Sequence, residues 1–144
     1  ERDTPLPEIE RTGIPVDGIV TSQLLINIFE HNTPLHDGAV VIRGNRVTAA
    51  TCYLPLSDNM DISKALGTRH RAAVGVSEAT DSVTLVVSEE TGRVSVAVSG
   101  RLKSVKDGDE LRDMLSVLVK RETENTGRFR IWKGRRRNER KADE

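Results

Sequence analysis

The sequence predicts an α/β sandwich folded as a single domain, and three observations carry that expectation. The chain has 144 residues, and at roughly 100–200 residues per domain this makes one unit with one core. Short β-rich runs alternate with helical stripes, giving four or more strands and three helices in mixed order. The only aromatics are Phe29, Tyr53, Phe129 and Trp132, so the core must be built mainly from Val, Leu, Ile and Ala.

Residues 1–18 hold Pro5, Pro7, Gly13, Pro15 and Gly18, which predicts an extended or looping lead-in. The chain opens on Glu1 rather than Met, the expectation for part of a longer protein. Thr21 or Ser22 caps a helix through residues 23–29, with Leu24, Leu25, Ile28 and Phe29 as its apolar stripe. Asn32-Thr33-Pro34 ends it. Runs 38–42 and 46–54 predict two strands, joined by a hairpin turn at Arg43-Gly44-Asn45. A loop covers 55–61, and Thr68 caps a helix over about 69–78, with Ala72, Ala73 and Val76 inward. The unbroken run Ser82–Ser88 predicts a strand buried on both faces. Glu90-Thr91-Gly92 then turns the chain into a more peripheral strand, Arg93–Val98. Asp107–Lys120 is an amphipathic helix with Leu111, Met114, Leu115, Leu118 and Val119 inward. The predicted domain proper thus spans 19–122, followed by a basic tail at 123–144.

Charge and composition exclude several classes. No apolar run approaches the ~20 residues of a membrane span, and no signal-peptide core is present. The single Cys52 excludes a disulfide framework within the chain and a multi-cysteine zinc site. In its apolar run it reads as packed rather than nucleophilic. Lys+Arg and Asp+Glu both number 22, yet the balance is uneven. From Asn125 onward eight basic residues face three acidic ones, so an acidic body of −5 carries a tail of +5. Walker A, GxGxxG, GxSxG and HExxH patterns are all absent.

Three constellations can carry chemistry. His36-Asp37-Gly38-Ala39 is a loop entering a strand, where Asp37 offers a carboxylate and Gly38 allows close backbone approach; the plain alternative is an Asp-Gly turn. Gly67-Thr68-Arg69-His70-Arg71 starts a helix, where free N–H groups and the dipole favour an anion and arginine forks match phosphate. Cations disfavour a helix N-terminus, so this placement calls for an anion; the alternative is a cap and a solvated basic turn. Ser88-Glu89-Glu90 ends a strand, where a hydroxyl and two carboxylates suit a phosphate and its divalent metal, or simply form a surface turn. Tyr53, also at a strand end, either stacks on a base or fills the core, the latter being the ordinary fate of a lone aromatic.

Four segments stand in an order that resembles the diadenylate cyclase domain, closest to its membrane-anchored, CdaA-type class. They are Thr33-Pro34-Leu35-His36-Asp37-Gly38-Ala39, Cys52-Tyr53-Leu54-Pro55-Leu56, Leu66 to Ala73, and Val87-Ser88-Glu89-Glu90-Thr91-Gly92. The likeness runs from about Gly13 to Lys120, and both signatures, Asp-Gly-Ala and Arg-His-Arg, are intact.

The resemblance implies a mixed, twisted central sheet flanked by helices. It implies an enzyme that joins two ATP into cyclic di-AMP, releases two pyrophosphates and uses Mn²⁺ or Mg²⁺, sometimes Co²⁺. Two domains meet face to face as a homodimer, and the full-length protein is anchored to the cell membrane by spans upstream, with this domain cytoplasmic. By the same resemblance Asp37 is the catalytic carboxylate, with Gly38 and Ala39 shaping the backbone beside the ribose. Thr68, Arg69, His70 and Arg71 bind the phosphates together with Ser88. Leu54 reads adenine beside Tyr53, and His36 with Glu90 holds the metal. Two other readings compete: a non-catalytic adenine-nucleotide sensor, and a nucleic-acid binder acting through Trp132 and Arg135-Arg136-Arg137. Short charge blocks are usually solvated, which disfavours the second.

Overall fold

The computed structural model describes residues 1–118. The chain divides into two compact units, Glu1–Ser104 and Val105–Glu144. Helix α1 (Pro7–Glu10) leads into strand β1 (Ile14–Ile19), and helix α2 (Ser22–Phe29) into the hairpin β2 (Ala39–Arg43) and β3 (Arg46–Cys52). Helix α3 (Thr68–Ala79) is followed by β4 (Thr84–Val87), β5 (Val94–Val98) and β6 (Arg101–Val105). The α/β class therefore holds, with the strands arranged as two three-stranded sheets of order β1-β3-β2 and β4-β5-β6. The β1/β3, β2/β3 and β4/β5 ladders are antiparallel.

The lead-in is not a loop. Pro7 sits in the first turn of α1, where its fixed φ suits a helix and its missing N–H costs nothing. Pro15 is tolerated in β1 because that strand lies at a sheet edge, with a register shift between Pro15 and Gly18. Asp81 ties the segment down, its carboxylate accepting the Asp3 and Thr4 N–H groups at 3.1 and 3.2 Å.

Thr21 caps α2 as expected, its hydroxyl accepting the Leu24 N–H at 3.1 Å. Ile28 is buried against Val47 and Ala50, with Leu24 and Leu25 beside it; full burial of such a side chain contributes about 1.5–3 kcal/mol. Phe29 departs from the predicted stripe and is half exposed, since the helix ends there. Gly67, not Thr68, is the N-cap of α3, because its extended backbone meets the cap geometry, and no side chain caps the helix. The chain packs α3 against the 55–57 loop so closely that a Cβ on Gly75 would come 2.1 Å from the Pro55 carbonyl oxygen.

The second sheet inverts two expectations. β4 is not buried on both faces: Val86 is buried, while Leu85 and Val87 are about half exposed. β5 is not peripheral but central, with Ser95, Val96 and Ala97 all buried. The β-branched run in β4 reflects strand propensity alone. The small residues of β5 are what let α3 approach, Ala97 meeting Ala73 and Val74. β6 was unforeseen because Arg-Leu-Lys-Ser-Val reads as polar; Ser99 and Gly100, both at positive φ, turn the chain into it.

In the second unit a helix covers 108–118 within the described residues. Asp107 and Glu110 cap it reciprocally, Asp107 accepting the Glu110 N–H at 2.9 Å and Glu110 the Lys106 N–H at 2.7 Å. Leu111, Met114, Leu115 and Leu118 are its half-buried stripe. Val119, Lys120 and the predicted tail at 123–144 lie outside the described residues.

Candidate functional site

Two strained backbone segments meet where β2 and β3 pair least regularly. Gly38 has φ +90°, and a Cβ there would lie 2.8 Å from the Thr51 carbonyl carbon. Thr51 is itself left-handed at φ +54°, an uncommon state for a β-branched residue. The register shifts between Ala39 and Val41, so the pleat is broken just behind the loop. That break presents Asp37 to solvent, its carboxylate accepting the Gly38 N–H at 3.0 Å. Ala39 begins β2 and is half-buried.

His36 is fixed from behind. A carbonyl only accepts, so the 2.7 Å contact with Thr33 O places the proton on Nδ1. With Nδ1 so engaged, Nε2 is the ring nitrogen with no hydrogen-bond partner among the described residues. The His31 ring stands edge-on to it at 5.5 Å.

Arg69 draws the segments together. Its Nη2 lies 2.8 Å from Glu89 in the β4–β5 turn and 3.8 Å from Asp37. The first contact is a hydrogen-bonded ion pair; the second is coulombic only. Both carboxylates are exposed, so each pair contributes at most about 1 kcal/mol. Thr68 is exposed at the first position of α3, Arg69 and Arg71 are half-buried, and His70 is buried. Among the described residues the His70 ring has no hydrogen-bond partner.

The remaining predicted residues are placed as follows. Ser88 closes the turn: its Oγ accepts the Thr91 N–H at 3.3 Å and its carbonyl the Gly92 N–H at 2.8 Å. Glu90 is exposed and makes no ion pair among the described residues. Tyr53 does not fill the core; its side chain is 75% exposed, because β3 ends at Cys52 and releases it. Its N–H donates to Thr12 Oγ at 2.8 Å, and Thr12 donates to Ile9 O at 2.7 Å. Leu54 follows, half-buried. Cys52 is buried, and burial pushes its thiol above the ordinary range, with the charge of Glu10 adding to the effect.

The structure thus joins Asp37, Arg69 and Glu89 by contact and leaves His36 and Glu90 without one to each other. Sequence reasoning missed Thr12, and it named Glu89 in the Ser88-Glu89-Glu90 segment without foreseeing its pairing with Arg69. Glu89 was legible as one of two adjacent carboxylates, whereas Thr12 gave no signal, being 41 residues from its partner. A cavity of about 400 Å³ lies elsewhere, lined by Ile62, Leu66, Val74, Ser95 and Leu102 among others, and it holds none of the predicted site residues. Among the described residues no three His, Cys, Asp or Glu side chains form a metal-binding group.

This α/β unit therefore sets an arginine at a helix start against carboxylates in two neighbouring loops. The family model for the DisA bacterial checkpoint controller nucleotide-binding (DAC) domain matches residues 1–102, and the chain belongs to that family. It is 54% identical over 137 residues to the cyclic di-AMP synthase CdaA of Bacillus subtilis, covering 94% of this chain and 50% of that one. It is 52% identical over 134 residues to a diadenylate cyclase of Listeria monocytogenes, covering 92% and 49%. The crystal structure of DacA from Staphylococcus aureus, a double mutant, superposes with TM-score 0.78 at 48% identity over 81% of this chain and 77% of that one. A hypothetical membrane-spanning protein from Bacillus cereus superposes with TM-score 0.72 at 44% identity over 74% and 52%. The chain spans about half the length of the curated relatives it matches. No helix among the described residues is long and apolar enough to cross a membrane.

Proposed function

We propose that this chain is the catalytic domain of a diadenylate cyclase, which joins two ATP into cyclic di-AMP and releases two pyrophosphates. The observation that carries this reading is Arg69, at the start of α3 where no side chain caps the helix, standing 3.8 Å from the carboxylate of Asp37. Phosphoryl transfer is mostly positioning and charge neutralisation. The first-turn N–H groups of α3, which have no helical acceptor, receive the triphosphate together with Thr68, Arg69, Arg71 and Ser88. His70, buried behind them, supports this turn from within. The 3′-hydroxyl is a poor nucleophile until its proton is drawn off, and Asp37 is the base within reach of the same phosphates. Gly38 and Ala39 let the ribose approach the backbone. Tyr53 stacks on adenine and the Leu54 backbone reads its edge.

The cofactor of this reading is a divalent cation, Mn²⁺ or Mg²⁺ and alternatively Co²⁺, for which His36 and Glu90 would each supply one donor. The Thr33 carbonyl fixes His36 in the tautomer that presents Nε2, and Glu90 supplies a carboxylate with no competing partner among the described residues. With two protein ligands, phosphate oxygens and water would complete its coordination. When bound, the cation offsets phosphate charge and lowers the pKa of a bound hydroxyl.

Ring closure needs two antiparallel ATP molecules, each 3′-oxygen attacking the other α-phosphate and expelling pyrophosphate. A two-fold homodimer supplies that arrangement by symmetry. The similarity to a membrane-spanning protein supports an anchored full-length enzyme; the reading puts this domain on the cytoplasmic side. The test is Asp37→Asn assayed with ATP and Mn²⁺: cyclic di-AMP is lost while ATP binding is kept. Wild-type turnover by that variant would remove Asp37 from the chemistry, and persistence of ATP with the wild-type chain at high concentration would favour a non-catalytic sensor.

A further inference from the structure

Glu89 has no part in building the turn on which it stands. The turn is closed by the Gly92 N–H on the Ser88 carbonyl, by the Ser88 N–H on the Arg93 carbonyl, and by the Thr91 N–H on Ser88 Oγ. The Glu89 side chain, 72% exposed, instead reaches Arg69 Nη2 at 2.8 Å. The same nitrogen faces Asp37 at 3.8 Å. One guanidinium nitrogen therefore serves two carboxylates, and the three side chains together carry a net charge of −1.

We infer that Glu89 is a positioning residue that acts through Arg69 and makes nucleotide binding depend on the accompanying divalent cation. This rests on the nucleotide site proposed above. A bare triphosphate reaching this site must take Nη2 from Glu89 and then stand beside two unpaired carboxylates. Like charges at such separations repel, which disfavours the complex. A triphosphate that brings a divalent cation presents less negative charge and gives the carboxylates another cation to face. Arg69 is then released to phosphate, to which its planar fork is well matched. Glu89 thus screens against metal-free nucleotide, by repulsion as much as by occupying Arg69.

The adjacent carboxylate provides the control. Glu89 and Glu90 sit side by side on one exposed turn, so Glu89→Gln and Glu90→Gln remove the same charge from nearly the same place. Of these two carboxylates, Glu89 is the one paired with Arg69 among the described residues. The experiment is calorimetric titration of the full chain with ATP, once in EDTA and once in Mn²⁺. Glu89→Gln is expected to tighten metal-free ATP by about two- to fivefold, the range of an exposed ion pair, with a smaller change for ATP in Mn²⁺. Glu90→Gln removes charge without freeing Arg69, so it is expected to tighten metal-free ATP less than Glu89→Gln does, and to weaken ATP in Mn²⁺. An unaltered ratio of the two affinities in Glu89→Gln would overturn the inference, and so would an equal gain for metal-free ATP in both variants, which reports charge alone. A wild-type chain that binds ATP in neither buffer overturns the nucleotide site itself and this inference with it.

Discussion

Replacing Gly38 by alanine isolates the backbone constraint that presents Asp37. Two costs add at this position. The φ of +90° is one that an L-residue rarely adopts, and a left-handed conformation costs roughly 1–2 kcal/mol. The new Cβ would also stand 2.8 Å from the Thr51 carbonyl carbon and 3.0 Å from both Thr51 Cα and the Cys52 carbonyl oxygen. These are backbone atoms of β3 and its end, so relief requires a strand to move; such overpacking costs about 1–3 kcal/mol. The sum is about 2–5 kcal/mol. Gly44 offers an internal standard: its φ is +58°, but nothing lies within 4 Å of its Cβ position. Gly44→Ala should therefore show the conformational cost alone, about 1–2 kcal/mol. Urea denaturation of the two variants measures the difference. Activity should separate them further, Gly38→Ala losing product formation and Gly44→Ala keeping it. Equal destabilisation of the two variants, or full activity in Gly38→Ala, would refute the argument that packing against Thr51 holds the loop.

Two further outcomes follow from the same geometry. Thr12→Val removes the acceptor of the Tyr53 N–H, at a cost of about 0.5–1.5 kcal/mol; steady-state kinetics should show a higher KM for ATP with little change in kcat, since the role proposed for Tyr53 is to stack on adenine, away from the reacting atoms. Burial raises the Cys52 thiol above its ordinary value near 9, so the folded protein holds that proton more tightly than the unfolded chain. The associated stability is complete below about pH 9 and is lost as pH rises beyond it; the urea midpoint of the wild type should fall more steeply above pH 9 than that of Cys52→Ala.

What the sequence disclosed divides along a physical line. Local chemistry was legible. Thr21 capped α2 as a hydroxyl at a helix start does, Gly44 turned the β2–β3 hairpin, and the Asp37-Gly38 and Thr68–Arg71 segments stood out by residue type and spacing. Burial was not legible, because it depends on what lies above and below. The apolar run in β4 marked a strand but not its exposure, and the small Ser95 and Ala97 concealed the central strand on which α3 rests. Long-range contacts were likewise silent. Thr51 reads as an ordinary strand residue until Gly38 is set against it, and the choice of Glu89 over Glu90 as the partner of Arg69 depends on how the β4–β5 turn faces α3.

Cyclic di-AMP formation from ATP and Mn²⁺, followed by chromatography as protein concentration is varied, tests the central claim most directly. A cyclase that works across a two-fold interface predicts product whose specific rate rises with protein concentration, with two pyrophosphates released per cyclic dinucleotide. Intact ATP at every concentration would contradict the cyclase, and a specific rate independent of concentration down to the dilution at which the chain is monomeric would contradict the dimer.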